Sequence, residues 1–585
     1  MVKYNHTDEY IEMSKFALNY YKTKKIALED LEKQYEETNS DYQPFHIRDL
    51  QCFNPIYNLF FKLNSGNFDS IALNNRYHIV DLKTIWDSRE SAKKSRDIFI
   101  KFSPLLDPVK YLIGRYKSDQ NIRVLPTLDS SEGSHKLSNP NNAAYIDNFF
   151  CYLSSQLLSH HGFLHGVSYY GSFLGIQEKF KMNLADDMDY LIQSDYFNQQ
   201  KGKIYEIENR EDPFANYGSR NNKDKLSIHN GSNVSNISLE ELMPDLTECQ
   251  ENDVHQGENE CIYEKSESGS IVSSENSSNN SKLNYSDSEG DSEENVSSET
   301  GSCESEEDDE NEEEESDDES DEESEGDDSI ESSEVPINGY IYDFPVQMIC
   351  MEKCTGTLDK LFVKKELDMD SAASALFQVM MILAAYQKSY CFTHNDLHTN
   401  NIMYVETDRD FLYYKFGGNF YKVPTYGKIF KIIDFGRAIY RFQGKTFCSD
   451  SFAPGGDAAT QYNCEPYFNE KKARLEPNYS FDLCRLGCSI YDFILDIEEE
   501  TDPEFEPDEL QMLIMNWVKD DNGKNVLYKK SGEERYPNFK LYKMIARTVH
   551  DKTPECQVKH AIFAGFLTKK KAKMVIDIDE LPSYG

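Results

Sequence analysis

Between residues 304 and 328 the chain reads ESEEDDENEEEESDDESDEESEGDD, a run without a single apolar side chain. No other feature limits more strongly what this chain can fold into. Such a segment cannot bury enough surface to offset the entropy of ordering it, and its like charges repel, so it is expected to be disordered. The bias extends further, because Ser, Asn, Asp and Glu dominate from 205 to 337. Residues 241–340 alone carry −35 of the net charge of −43, leaving −8 for the rest of the 585 residues. What remains is nearly balanced and shows no basic excess, so nucleic acid is not an expected partner. Its length suits two to four ordinary domains, or one large domain with an insertion.

The N-terminus, MVKYNHTDEYIEMSK, lacks an apolar signal core, and no run approaches the roughly 18 apolar residues of a spanning helix, so no membrane is expected. The 13 Cys are odd in number and include no CxxC pair. Cys350/Cys354 and Cys484/Cys488, four apart, fit buried thiols as well as metal ligands. This usage points to a reducing, cytosol-like compartment.

Residues 1–45 read as helix, with Tyr10, Ile11, Phe16, Ala17 and Tyr20 at helical spacing. From His46 to Phe102 the pattern is strand-like: IYNLFFKL, FDSIAL, RYHIVDLKTIW and DIFIKF, separated by Asn, Gly and Ser turns. SNPNN then opens a helix through AAYIDNFFCYLSSQLL. After the acidic stretch, GYIYDFPVQMICMEKC reads as a strand, followed by a helix at about 371–389 and a helical C-terminal half.

Chemistry concentrates in CFTHNDLHTNNIMY, residues 391–404. It holds His394, Asp396 and Asn401 in the spacing HxDxxxxN, and about thirty residues later KIFKIIDFGRA ends a strand at Asp434-Phe435-Gly436. Phosphoryl transfer from ATP needs a carboxylate to orient the attacking hydroxyl and take its proton. It also needs a second carboxylate and an amide oxygen to hold Mg²⁺ on the phosphates. Asp396 suits the first role, and Asp434 and Asn401 the second. Either motif alone is weak; both in this order and separation are specific.

At these residues the chain resembles the protein kinase superfamily, over most of its ordered length. The resemblance implies an α+β, two-lobed protein-kinase-like fold with a long disordered acidic insertion in the N-lobe. Residues 1–45 would be an N-terminal helical extension, and 46–204 the first part of the N-lobe. The insert would cover 205–337, the last N-lobe strand and hinge 338–353, and the C-lobe with a helical C-terminal extension 354–585. MICMEKCTGTLDKLF resembles the segment linking the lobes, which would put Met351 at the gatekeeper and Glu352 to Cys354 along the adenine site. YSFDLCRLGCSIYDFI resembles the helix after the activation segment, with Asp482 bracing the backbone of the catalytic loop. LNSGNFDSI, residues 63–71, is similar to the phosphate-covering glycine loop but keeps only Gly66; an ordinary hairpin turn is the alternative. For the phosphate-binding lysine, Lys83 in IVDLK matches the family's motif better. Lys101 in FIKF is favoured because its strand lies closer to the helix carrying Asp147, the nearest candidate for its acidic partner.

The implied activity is ATP- and Mg²⁺-dependent phosphorylation of Ser/Thr in a protein substrate. Two departures matter. Asn395 stands where many regulated kinases carry Arg, so a basic pocket for a phosphorylated activation loop is not expected. His398 replaces the usual Lys, which makes HNDLHTNN also similar to small-molecule kinases of the choline and aminoglycoside type. A third reading is a pseudokinase scaffold that binds basic proteins through its acidic insert. The Asn- and Tyr-rich background and the insert also look like kinases of giant DNA viruses, which would place the protein in the host cytoplasm.

Overall fold

The computed structural model describes residues 15–36, 42–129, 133–208, 337–495, 504–537, 539–570 and 572–585. All of them belong to one structural unit. The expected disorder of the acidic insert lies outside these residues, as do Tyr10 and Ile11 of the expected N-terminal helix. Where that helix can be examined, it is shorter than expected. Phe16 to Asn19 are not helical, Tyr20–Lys22 is a strand paired with Ile71–Leu73, and only Leu28–Glu36 is helix. Phe16 is buried against Tyr584, with ring centroids 4.6 Å apart, so tertiary packing overrides the local periodicity.

The principal sheet is antiparallel, in the order Ile47–Gln51, Tyr169–Asn183, Asn338–Glu352, Ile98–Pro104. Its centre is Asn338–Glu352, whose last nine residues are all buried, which explains their unbroken apolar run. Tyr205–Ile207, counted with the insert from sequence, is a further strand pairing with Gly339 to Ile341. The Glu208 N–H donates to the Asn338 carbonyl at 2.9 Å, so the chain leaves for the insert beside the point where it returns. A separate meander, Tyr77–Asp81, Thr84–Asp87 and Ala92–Ser95, precedes the Lys101 strand. IYNLFFKL is not a strand: Asn54 accepts the Ile56 N–H and starts a 3₁₀ turn over Pro55–Leu59.

Two long helices form the centre of the core. Ala143–His161 starts at Asn142, whose side chain accepts the Ala144 N–H, and ends at Gly162 with φ of 63°. Met369–Tyr390 starts in a capping box between Asp368 and Ser371. It is long and apolar enough to cross a membrane, contrary to the reading from sequence, yet its side chains are almost all buried within the protein. Both helices are buried on nearly every side, polar residues such as Asp147 and Gln378 included.

The C-terminal half is mixed rather than helical. Strands Gly356–Thr357, Ile402–Glu406 and Lys428–Ile432 form one sheet. Hairpin Phe411–Phe416 and Asn419–Pro424 joins short strands Leu567–Thr568 and Ile576–Asp577 in another. Helices Phe481–Ile494, Glu509–Trp517 and Lys540–Thr548 follow. The described cysteines are all free, and no disulfide joins any of them.

Candidate active site

Lys101 lies on strand Ile98–Pro104 opposite Ile349, and Phe99 lies opposite Met351, so all four side chains share one face of the sheet. The Lys101 ammonium contacts Asp147 Oδ2 at 2.9 Å and Asp434 Oδ1 at 2.7 Å. Asp147 comes from the buried helix Ala143–His161. Its Oδ2 also accepts from Ser103 Oγ at 3.2 Å, and its Oδ1 accepts the Phe435 N–H at 2.9 Å. One aspartate therefore binds the lysine and the backbone after Asp434 together. Burial works against a charged Lys101, but Asp147 and Asp434 outweigh it and hold the ammonium above its ordinary range. Two carboxylates face one ammonium, which leaves one negative charge in excess.

Asp434 has φ of 63°, in the left-handed region that most residues avoid. It is held there by its neighbours. Phe435 is buried against Phe150 at 4.7 Å and Phe392 at 6.0 Å, and the Ile433 N–H donates to the Asn401 carbonyl at 3.0 Å. That last bond continues the ladder in which Ile402 pairs with Ile432. Asn401 and Asp434 thus come to the same end of one strand pair.

The stretch 391–401 is fastened from beneath. Asp482 accepts the N–H groups of His394 and Asn395, both at 2.8 Å. Asn395 has φ of 64°, a conformation that Asn tolerates better than most residues. Its side chain donates to the Arg437 carbonyl at 3.1 Å and accepts from Tyr462 Oη at 2.8 Å. The His394 ring receives the Asp396 N–H on Nδ1 at 3.3 Å, so Nε2 carries the proton it donates to the Ile433 carbonyl at 2.9 Å. The Asn401 amide donates to the Asp396 carbonyl at 3.0 Å and to His398 Nε2 at 3.1 Å. Because a carbonyl only accepts, this fixes the orientation of the amide. Asn401 Oδ1 is left buried with no partner among the described residues. A buried orphan oxygen costs about 1–3 kcal/mol unless something binds it.

The Asp396 carboxylate is capped. Tyr542, from helix Lys540–Thr548, donates its hydroxyl to Asp396 Oδ1 at 2.8 Å and accepts from Arg485 Nε at 3.0 Å. Arg437 Nε stands 3.9 Å from Asp396 Oδ2, and its Nη1 is a buried donor without a described partner. Burial pushes the Asp396 carboxyl up, but Arg437, His398, Arg485 and the Tyr542 hydrogen bond outweigh it, so the acid is held below its ordinary range. Burial also keeps the Tyr542 phenol protonated, by pushing its pKa up. Tyr542 thus occupies one of the two Asp396 oxygens.

A divalent cation fits this donor set. Asn401 Oδ1 is an unused neutral oxygen, Asp434 bears part of an excess negative charge, and the Asp434 side chain is 17% exposed. Among the described residues no group of three His, Cys, Asp or Glu converges, so a cation here would complete its shell with ligand or water oxygens.

The other candidates from sequence make no described hydrogen bond or ion pair with this cluster, though Met351 shares its sheet face. Lys83 pairs with Asp97 at 2.8 Å on the surface. Gly66 lies in an exposed turn whose Asn64 side chain accepts its N–H at 2.9 Å, and it has no described contact with Lys101, Asp147 or Asp434. Asp69 is tied to the Cys52 N–H at 2.6 Å and to Lys25. Met351 is buried and Cys354 half-buried. The Glu352 side chain turns inward to Lys431 Nζ at 2.8 Å and the Ser168 N–H at 2.7 Å. Tyr542, Arg437 and Arg485 carried no signal in the sequence reading. Arg437 could have been noticed as the residue following the IDFG run. Neither a scan of protein-family models nor a search of curated proteins returns a match for this chain.

Proposed function

We propose that the chain is an ATP- and Mg²⁺-dependent phosphotransferase of the two-lobed protein-kinase type, acting on Ser or Thr hydroxyls of a protein substrate. One observation carries this reading: Lys101, Asp147 and Asp434 converge in one cluster, and the Ile433–Asn401 and Asn401–Asp396 hydrogen bonds link Asp434 to Asp396. Lys101, held charged by two carboxylates, would bind phosphate oxygens while Asp147 fixes its position. Asp434 and Asn401 would hold Mg²⁺, which when bound neutralises phosphate charge. Asp396, kept ionised by the neighbouring guanidinium groups, would orient the acceptor hydroxyl and take its proton. Asp482 would keep that carboxylate in place through the two N–H groups before it.

The test is the melting temperature with ATP, with and without Mg²⁺. Wild type should gain a Mg²⁺-dependent shift, and Asp434→Asn should lose it, because a neutral amide cannot replace the missing charge. An equal shift in both proteins would remove Asp434 from the site. A shift in wild type without any transfer would favour the scaffold, a reading supported by the capped Asp396.

A further inference from the structure

A cavity of about 600 Å³ is walled by residues between Phe452 and Leu475 and by Arg547. Its wall contains three basic residues, Lys472, Arg474 and Arg547, and no acidic one. In a chain with 104 acidic and 61 basic residues, composition does not account for that. The three cations also differ in how they are satisfied. Arg474 is neutralised by Glu465 and Glu476, each at 2.6 Å. Among the described residues the Arg547 guanidinium donates to the carbonyls of Lys543 at 2.7 Å and Thr460 at 2.8 Å and to no carboxylate. Lys472 makes no ion pair among the described residues, so two positive charges face the cavity without a carboxylate.

The cavity is joined to the acceptor position through two residues. Tyr462 lines it and donates to Asn395, the residue immediately before Asp396. Arg547 shares its helix with Tyr542, whose hydroxyl rests on Asp396. These two links, one through Asn395 and one along the helix of Tyr542, connect Lys472 and Arg547 to the acceptor position.

We propose that this cavity recognises acidic residues flanking the acceptor Ser or Thr of a protein substrate, through Lys472 and Arg547. The inference rests on the phosphotransferase reading and adds the substrate class to it. Carboxylates entering here meet two cations that no described carboxylate neutralises, whereas Lys or Arg would meet like charge. The chain itself contains a stretch of the required kind, EEEESDDES at residues 312–320, with Ser316 among acidic neighbours.

The experiment uses the full chain and two peptides: EEEESDDES, and the same peptide with every acidic residue replaced by Lys. Wild type should phosphorylate the acidic peptide with a kcat/KM at least about tenfold higher, mainly through KM, and the preference should shrink as salt rises. The double variant Lys472→Glu with Arg547→Glu should lose or reverse that preference while keeping the nucleotide-induced melting shift. Equal use of both peptides by wild type, or an unchanged preference in the double variant, would overturn the proposal and leave the phosphotransferase reading standing. If neither peptide is phosphorylated, anisotropy of the labelled acidic peptide decides. Salt-sensitive binding lost in the double variant supports the cavity independently of transfer, and no binding by wild type overturns it.

Discussion

Two buried lysines, one in each of two sheets, solve the same problem differently. Lys431, on strand Lys428–Ile432, is 2% exposed and directs its three donors to the Leu164 carbonyl at 3.2 Å, the Gly166 carbonyl at 2.7 Å and Glu352 Oε1 at 2.8 Å. One cation meets one carboxylate, and every ammonium hydrogen is used. Lys101 is 12% exposed and meets two carboxylates, one of them reached by solvent. Its charge is over-compensated and its donors are not saturated. Burial and ion pairing are common to both, so neither marks a functional lysine. What separates them is what is left over: nothing around Lys431, and a negative charge, partly exposed on Asp434, around Lys101.

The comparison breaks most sharply if each lysine is replaced by Met. Lys431→Met leaves Glu352 buried without its cation, which should cost about 3–5 kcal/mol of stability, read as a lowered denaturation midpoint. Nucleotide binding by the remaining folded protein should be unchanged. Lys101→Met leaves Asp147 equally buried without its cation and should cost comparable stability, and should in addition lower phosphoryl transfer by at least about a hundredfold. If the two variants exchange these phenotypes, the distinction between saturated and open lysines is mistaken.

Acid should find the saturated side first. His165 sits between the two carbonyls that hold Lys431, and its ring bonds the Phe430 carbonyl and Tyr414 Oη, both at 2.7 Å. Burial lowers its pKa from 6.5 to about 4, the nearby Lys431 charge adding to the effect. The unfolded chain therefore takes up this proton before the folded one does. The contribution is complete above pH 6.5 and is lost as pH falls toward 4, amounting to about 2 kcal/mol between pH 6.5 and 5. His165→Gln should be less stable at neutral pH but show a shallower loss over that interval. Parallel pH curves for variant and wild type would place the titration elsewhere.

The smallest effect is expected at Asp396, the one site carboxylate that is capped. Tyr542→Phe keeps the ring and removes the hydroxyl that occupies Asp396 Oδ1. Transfer to an external acceptor should rise severalfold, in line with one hydrogen bond to a charged group, while the melting temperature falls, because Asp396 Oδ1 and Arg485 Nε lose their buried partner. A fall in turnover instead would make Tyr542 a support for Asp396 rather than its competitor.

Much of the site was legible because its residues lie on elements with strong local signals. The HxDxxxxN spacing and the apolar strand ahead of Asp434 placed Asp396, Asn401 and Asp434 within reach of one another. Asp147 was accessible through its helix, which opens at a recognisable Asn cap. Asn64 shows why the glycine pattern was ambiguous: its side chain alone builds the turn at Gly66, so the segment signals a bend and not what the bend covers. Glu352 ends a strand buried on both faces, where alternation no longer tells which way a side chain points. Tyr542 and Arg485 reach Asp396 from 146 and 89 residues away, on helices whose sequences specify only an amphipathic face. Contacts of that kind arise from tertiary packing and have no local trace.

The central position of strand Asn338–Glu352 has a consequence for biosynthesis. Its two flanking strands, Ile98–Pro104 and Tyr169–Asn183, are translated first, and the strand that must enter between them is made only after the acidic stretch. At ordinary elongation speeds the nascent chain spends on the order of ten seconds with both edges unpartnered. Open edges invite pairing with other chains, and during that interval the polypeptide emerging behind them is strongly anionic. The stretch that adds no apolar surface to a core is thus the one present, nearest the ribosome, while the half-built sheet is most vulnerable.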